Sequence, residues 1–507
     1  MIRNYFVTAW RHLFKNRLYA GINLLGLTIG LASCILIGIY VWNELSYDRF
    51  HANADRIART TWEYRFQGDV QKVAVTGTKV GPEYKRTFPQ VEAFVRLMKY
   101  PRVITLGDKM FDEKNFLYAD ETFFNVFSFR LLSGDPKTVL DAPDKLVITE
   151  SMAKKYFGGQ DPVGKTVKVG EKKQFQITGV AEDAPRNSQI RFDFVGSFSS
   201  LNASKTEKYN EANYTTYLLL KDRSHMDFMQ TKGRDQMAER VKKEMSLQGS
   251  DYSMYNLEPL TSVHLHSELD GLEPNSNILY VYVLSAVAIL ILLIACVNYT
   301  NLSTAQSAGR STEIGIRKVL GAAKKQVFLQ FICESFLLSL VALLLALALS
   351  ALVLPYFSRV AGRELSFAWL ATPQAIAVLL GLVILVALTS GAYPSIVLSN
   401  GRIIGILKSG LRLTGSGTLR RSLIIFQFVI SAFLIASTII ILQQLNFIQN
   451  KDLGYNKDQV IVLPVDYTML TKYDEIKQVM SAHPSIISVG GAYEEPTHIG
   501  WADGLNK

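Results

Sequence analysis

The chain has 507 residues, 49 % of them hydrophobic and only 19 % charged, with a formal net charge of +10. That balance excludes a disordered chain, and three cysteines in this length exclude a disulfide-built scaffold. The apolar excess is gathered into long runs, the pattern of membrane spans. In residues 1–17, Phe6, Trp10, Leu13 and Phe14 fall on one face while Arg3, Arg11 and Lys15 supply charge, which predicts an amphipathic helix in the membrane interface. The run Leu18 to Asn43 holds no charged residue and exceeds the roughly 20 residues that cross a bilayer, so it predicts a first span over 18–43. A signal peptide is the rival reading, but the run is too long and no A-x-A-like cleavage site follows.

Residues 44–277 contain no comparable run and form a domain of mixed α+β character. Period-two alternation predicts strands in RIARTTWEYRF, VQKVAVTG, RVITLGDKMF, KLVITE, IRFDFVGSF, NYTTYLLLKD and YSMYNLEPLTSVHLHS. Helices are predicted near Gly81 to Thr87, Glu121 to Phe127, Thr149 to Phe157 and Arg234 to Met245, and SSLNASKTEKYNEAN reads as a surface loop. His264 and His266 form H-x-H; on a strand both point to one face, but zinc needs three or four convergent ligands and no third is near in sequence.

Gly159 to Thr166 matches the phosphate-loop pattern G-x-x-x-x-G-K-[ST]. A working phosphate loop follows a strand and opens a helix, whose N-terminus holds the phosphates. Here a helix precedes, with Thr149 as its cap, and Val167, Val169, Phe175 and Ile177 predict a hairpin after. Pro162 and the glycines suit a turn joining the two. Nucleotide binding is the competing reading, and no other stretch resembles an ATPase module.

Four further spans are expected over 278–301, 327–353, 375–392 and 423–442, separated by 302–326, 354–374 and 393–422 and followed by 443–507. Glu334 is the one charged residue inside these runs; it lies near an end and can reach toward Lys324 or Lys325 or pair with a neighbouring helix. Lys and Arg concentrate in three segments: 1–43, 305–326 and 395–421. Alternate crossings put all three on one side, and the positive-inside rule makes that side cytoplasmic. The domain 44–277, the loop 354–374 and residues 443–507 then lie outside. The basic residues sit in short loops beside spans, so the charge reports topology and gives no nucleic-acid partner. Cys34, Cys296 and Cys333 all fall in spans as small packing residues, with no metal or cofactor site.

STEIGIRKVLGAAKKQVFLQFICESFLLSL, Ser311 to Leu340, carries an apolar stripe (Ile316, Val319, Leu320, Ala323, Val327) interleaved with Arg317, Lys318, Lys324 and Lys325, which predicts a short helix on the inner face continuing into a span; within it stands EIGIRKVLGA. With Glu313, Gly315 and Gly321 it resembles the cytoplasmic signature of the FtsX-like, MacB-type ABC transporter permeases. RNYFVTAWRHLFKNRLYAGINLLGLTIGLASCILI and NELSYDRFHANADRIAR are similar to the opening of that family's Bacteroidetes-like forms. YFGGQDPVGKTVKV resembles a segment of the family's external core domain, and ACVNYTNLSTAQSAGRSTEIGIRKVLGA the exit from its second span.

The resemblance implies an α-helical multi-span membrane protein with a large MacB-like periplasmic core between the first and second spans, in a bacterial inner membrane. It implies a non-catalytic permease, a separate cytoplasmic ABC ATPase, a dimer of permease units among membrane lipids, and a periplasmic adaptor or outer-membrane channel as further partners. It assigns the ATPase-coupling helix to Glu313, Ile316, Arg317, Lys318 and Leu320. The implied work is export or extraction of a peptide, lipoprotein, drug or lipid-like molecule; the alternative is FtsX-type signalling to cell-wall hydrolases. RRSLIIFQFVISAFLIASTIIILQQLNFIQNKDLGYNKDQVIVLPV resembles the start of a second unit, so the sequence is expected to be a truncated or partial chain with three more spans missing beyond Lys507.

Overall fold

The structure, a computed structural model, describes residues 17–309, 315–400 and 416–492, apart from residues 67, 171–172, 318, 453, 455–458, 464 and 466. The expected interfacial helix over 1–17 lies, but for Arg17, outside the described residues. Two units are distinguished, 1–427 and 428–507.

The first span is a helix over Arg17–Leu45, and a turn leads from it into β1 (Ile57–Phe66). Twelve strands follow among the described residues: β2 (Asp69–Val73), β3 (Val91–Lys99), β4 (Arg102–Leu106), β5 (Lys109–Glu113), β6 (Phe116–Ala119), β7 (Leu131–Ser133), β8 (Lys145–Thr149), β9 (Thr166–Val169), β10 (Lys173–Ala181), β11 (Phe194–Ser197), β12 (Thr215–Leu220) and β13 (Tyr252–Pro259). They form one mixed sheet in the order β13-β1-β12-β3-β6-β11-β8-β10-β9-β4-β5, with β2 added to β1 and β7 to β10. The β6–β11 and β8–β10 pairs are parallel and the others antiparallel.

The central strands β6, β11 and β12 are buried at every residue, so side chains on both sheet faces are covered. Three apolar clusters do the covering. One gathers Phe123, Phe127, Phe129 and Phe192; a second Tyr84, Met229, Met237 and Tyr255; a third Phe116, Phe175, Phe194 and Phe198. The four expected helices are present at Val80–Thr87, Phe123–Val126, Glu150–Phe157 and Arg234–Glu244. Thr149 caps the third, its hydroxyl accepting from the Met152 N–H.

Two sequence expectations are corrected, and β3 was not among the expected strands: VEAFVRLMK mixes helix-forming residues and shows no clean alternation, and pairing with β12 and β6 on either side makes it a strand. The segment from Leu260 to His266 is a helix that ends the strand at Pro259, so His264 and His266 do not share a strand face: His264 is buried and His266 exposed. Within the polar loop 199–213, Tyr209 is buried in the second cluster.

The position of the domain follows from β1 and β13. They are antiparallel neighbours, with Ala58 opposite Pro259, so the chain enters and leaves the domain at the same end. Arg59 sits directly opposite Glu258, and its fully buried guanidinium donates to the Glu258 carboxylate (2.7 Å), the Ser267 hydroxyl and the Leu269 carbonyl. The bridge thereby holds the exit segment beside the entry strand and brings the second span, Ile278–Gly309, against the first.

All five expected spans are helices, longer than the apolar runs: the others are Lys324–Ala361, Pro373–Asn400 and Ser416–Asn450. The first four pack in a ring, span 1 on spans 2 and 3 and span 4 on the same two. Leu27, Leu31, Ile35, Leu338, Ala342 and Val386 fill its middle. The cysteines are free; Cys34 Sγ donates to the Ala288 carbonyl (3.3 Å) and ties span 1 to span 2. In the second unit the helix ending at Asn450 is followed by two short ones, Tyr467–Thr471 and Tyr473–Ser481.

Spans 1 and 2 touch most closely at Gly30, where an added Cβ would stand 2.8 Å from the Ala295 Cβ. A larger residue must push the helices apart, at about 1–3 kcal/mol for overpacking. Gly30→Val is therefore expected to lower the thermal unfolding midpoint in detergent micelles. Gly38→Val, on the same helix with nothing within 4 Å, should leave it unchanged; equal effects of the two would refute the close contact.

Candidate functional site

The loop Gly159 to Thr166 joins the helix Glu150–Phe157 to β9, as its pattern of flanking residues predicts. Four of its N–H groups are already used, Gln160 donating to the Phe157 carbonyl. Gly164 donates to the Ile177 carbonyl, Lys165 to Pro162, and Val163 to the Asp161 carboxylate. Lys165 Nζ donates to Gln160 (2.8 Å) and lies over the Phe157 ring. A phosphate would meet an aspartate here and no helix N-terminus, so the arrangement is that of a connecting turn.

Of the five coupling residues inferred from sequence, Glu313 and Lys318 lie outside the described residues. Ile316, Arg317 and Leu320 lie on a short helical stretch, closed by the Leu320 N–H donating to the Ile316 carbonyl (3.0 Å). Gly321, with φ +93°, turns the chain, and span 3 starts three residues later. The apolar side chains of this stretch point outward, Ile316 at 52 % and Leu320 at 81 % exposure. Arg317 points the other way: Nη1 donates to Gln330 Oε1 (2.8 Å), and Gln330 Nε2 donates to Glu334 Oε1 (3.1 Å). The intramembrane acid singled out in the sequence thus ends a relay that fixes the short segment to span 3. Above it, the Tyr299 and Ser335 hydroxyls meet at 3.0 Å and Thr300 donates to the Ser390 carbonyl, tying spans 2, 3 and 4 together.

At the opposite end of span 1, residues 44–51 connect the helix to the sheet. Sequence reasoning quoted this stretch, ELSYDRFH, but gave it no role. Asn187 donates to the Ser46 carbonyl and hydroxyl, and the Asp48 N–H donates to the Asn187 carbonyl. The Asp48 carboxyl accepts from the Ser188 hydroxyl and the Gln189 N–H, both at 3.0 Å. His51 Nδ1 accepts the Ser128 N–H, and its ring packs on Phe127 and Phe129. The signal was a cluster of polar and aromatic residues directly after an apolar run, where a simple tether has no need of them.

Burial governs the charge state of this connector. It pushes the Asp48 carboxyl up from 3.8 to about 7 and the His51 imidazole down from 6.5 to about 3. For Asp48 the folded value lies above the unfolded one, so its stabilising protonation is complete below about pH 3.8 and is lost as pH rises through about 7. His51 acts oppositely: its contribution is present above pH 6.5 and is lost as pH falls toward 3. The two slopes oppose each other between these limits. Asp48→Asn removes the first alone. Its unfolding midpoint, measured in nanodiscs, should exceed the parent's at pH 8, with the gap closing toward pH 4; a gap constant with pH would rule the assignment out.

Comparison with known proteins adds to this geometry. The MacB-like periplasmic core domain model matches residues 20–232 and the FtsX-like permease C-terminal model residues 285–403. The macrolide export ATP-binding/permease protein MacB of Bdellovibrio bacteriovorus is 24 % identical over 254 residues, covering 49 % of this chain and 36 % of that one. The uncharacterized ABC transporter permease YknZ of Bacillus subtilis is 24 % identical over 253 residues, covering 49 % and 59 %. The solved periplasmic region of MacB from Actinobacillus actinomycetemcomitans aligns over 41 % of this chain and 90 % of that one, at 17 % identity and a TM-score of 0.29. The chain spans less than two thirds of the length of either curated relative. The two family models follow one another in the order of the structure, core domain after the first span and permease segment over spans 2 to 4, and the chain belongs to the FtsX/MacB-type ABC transporter permeases.

Proposed function

We propose that this chain is the permease subunit through which a separate cytoplasmic ABC ATPase moves a domain on the far side of a bacterial inner membrane. The relay from Arg317 through Gln330 to Glu334 carries the reading. It anchors a short segment to span 3 by its polar side while the apolar side chains of Ile316 and Leu320 are presented outward beside Gly321. A segment gripped at one face and apolar at the other suits docking of a protein that pushes on it. The Lys and Arg content of 1–43, 305–326 and 395–421 supports a cytoplasmic location for that segment and an extracytoplasmic one for 44–277. A relative named a permease alone supports an ATPase on its own polypeptide, and the occupied N–H groups of the loop Gly159 to Thr166 agree. The work is export or extraction of a peptide, lipoprotein, drug or lipid-like molecule by a dimer of permease units, with an adaptor or outer-membrane channel beyond. Residues 44–277, the loop 302–326 and the linker 393–422 are assigned to these roles as domain, coupling loop and cytoplasmic linker.

The test uses the permease co-purified with its ATPase in nanodiscs. Leu320→Asp places a carboxylate in the apolar contact and is expected to weaken ATPase association at least about tenfold, equivalent to about 1.4 kcal/mol, without lowering the permease's unfolding midpoint. Arg317→Glu releases the segment from span 3 and should leave the ATPase bound but its hydrolysis uncoupled from domain movement. Lys165→Ala should leave hydrolysis unchanged. Full-strength association of the Leu320 variant would end the docking assignment, and loss of hydrolysis in the Lys165 variant would restore the nucleotide-loop reading.

A further inference from the structure

The connector after span 1 has one member that the domain alone does not explain. Glu44, the penultimate residue of the span 1 helix, has a fully buried carboxylate that meets His264 and Arg363, from different parts of the chain, and also hydrogen-bonds Ser276. Oε2 meets His264 Nε2 at 3.0 Å, on the last helix of the domain. Oε1 lies 3.1 Å from Arg363 Nε, in the loop between spans 3 and 4. Tyr47 bridges the same groups. Its ring stacks flat on His264, with centroids 3.4 Å apart, and its hydroxyl accepts from Arg363 Nη1 (3.3 Å).

The two sides differ in how firmly they are held. On the domain side, His264 Nδ1 is within 3.0 Å of Gln189 Nε2, Gln189 also donates to Asn275, and the bonds of Ser46 and Asp48 surround them, all buried or partly buried. On the span side, helix Lys324–Ala361 ends at Gly362 with φ +62°, and the loop reaches the domain through Arg363 and through the Glu364–Arg186 ion pair, whose side chains are 59 % and 57 % exposed. The Glu364–Arg186 pair, solvated on both sides, exchanges readily with water; Arg363 is partly exposed, and when it leaves, the buried Glu44 carboxylate keeps its His264 bond.

We propose that Glu44, Tyr47 and Arg363 form a releasable latch between the domain and the loop joining spans 3 and 4, with the domain side permanent and the Arg363 side detachable. Closed, the latch makes the domain follow spans 3 and 4; open, the domain is carried by spans 1 and 2 alone. The opening stroke is the part that rests on the permease reading above, since it needs a motor acting on the segment fixed to span 3.

Two measurements test it. The first uses the chain alone in nanodiscs and hydrogen exchange. Arg363→Ala, or Glu364→Lys as a surface change that spares folding, should speed exchange of the amides of 358–366 about tenfold or more. The amides of 44–51 and 260–266 should stay as slow as in the parent. Acceleration spreading into 44–51, or none in 358–366, overturns the asymmetry. The second uses Arg186→Cys with Glu364→Cys, after Cys34, Cys296 and Cys333 are replaced by Ala, and a short bismaleimide on the complex with its ATPase. Cross-linking should be efficient without nucleotide and change severalfold on trapping with ATP and vanadate. Equal yields with an active ATPase present overturn the latch and leave the permease reading intact; a chain that recruits no ATPase overturns the permease reading and the opening stroke, while the exchange experiment still decides the asymmetry.

Discussion

The bridge from the buried Arg59 guanidinium to the partly exposed Glu258 carboxylate fixes the geometry on which the rest of the molecule depends. It lies at direct register between the first and last strands of the domain, and its remaining donors hold Ser267 and Leu269 of the exit segment. Removing one partner of a buried pair costs about 3–5 kcal/mol, because the other is left charged and desolvated. That penalty keeps entry and exit together, and their closeness lets spans 1 and 2 pack at Gly30 and Ala295. A sheet of this size could otherwise have sent its two ends to opposite edges, and no motion of the spans would then reach it as a unit.

Much of this was legible in the sequence, for identifiable reasons. The spans declare themselves because apolar runs of about 20 residues have few other stable uses. Strands with one covered face, such as β9 and the first half of β10, alternate and were readable; β6, buried on both faces, does not alternate and was not seen, whereas β11, equally buried, fell within the expected strand IRFDFVGSF. The helix at Leu260–His266 was hidden because Leu, Val and two His at alternating positions fit a strand equally well, and only Pro259 marks the break. At the inner face the short helix was legible from its apolar stripe, whereas the use of Gln330 to join Arg317 to Glu334 was not, since a glutamine in a span carries no pattern. At the outer end the connector was quoted for its resemblance to a family, and its chemistry became visible only when residues some 140 and 220 positions away were brought beside it.

The two ends of the span bundle are built on the same plan with opposite materials. At the start of span 3, a short segment is held to that span through two successive polar contacts, with its apolar face left outward. At the other end of the bundle, the polar contacts are buried and the solvated contact is the Glu364–Arg186 pair of the loop after span 3. Span 1 is 29 residues long, about 44 Å at the ordinary helical rise, and span 3 is 38, about 57 Å. Both exceed the roughly 30 Å hydrocarbon core, so they project from the bilayer as rigid levers. Trp42 and Trp369, stacked at 5.6 Å, lie just below Glu44 and Arg363 in the chain and suit an interfacial depth.

This placement has a mechanical consequence. A contact buried in the membrane resists change because no water can replace a lost partner, and the hydroxyl ties among spans 2, 3 and 4 are of that kind. A contact at the water interface can be exchanged for hydration at little cost. In a bundle so arranged, the spans are mutually tied and the contact most open to exchange is the solvated pair of Glu364 with Arg186. The domain side, with Asp48 and His51 buried, moves as part of the domain. Glu334 and Glu44 thus do different work: Glu334 joins span 3, through Gln330, to the short segment carrying Arg317, and Glu44 joins the end of span 1 to His264 of the domain and to Arg363.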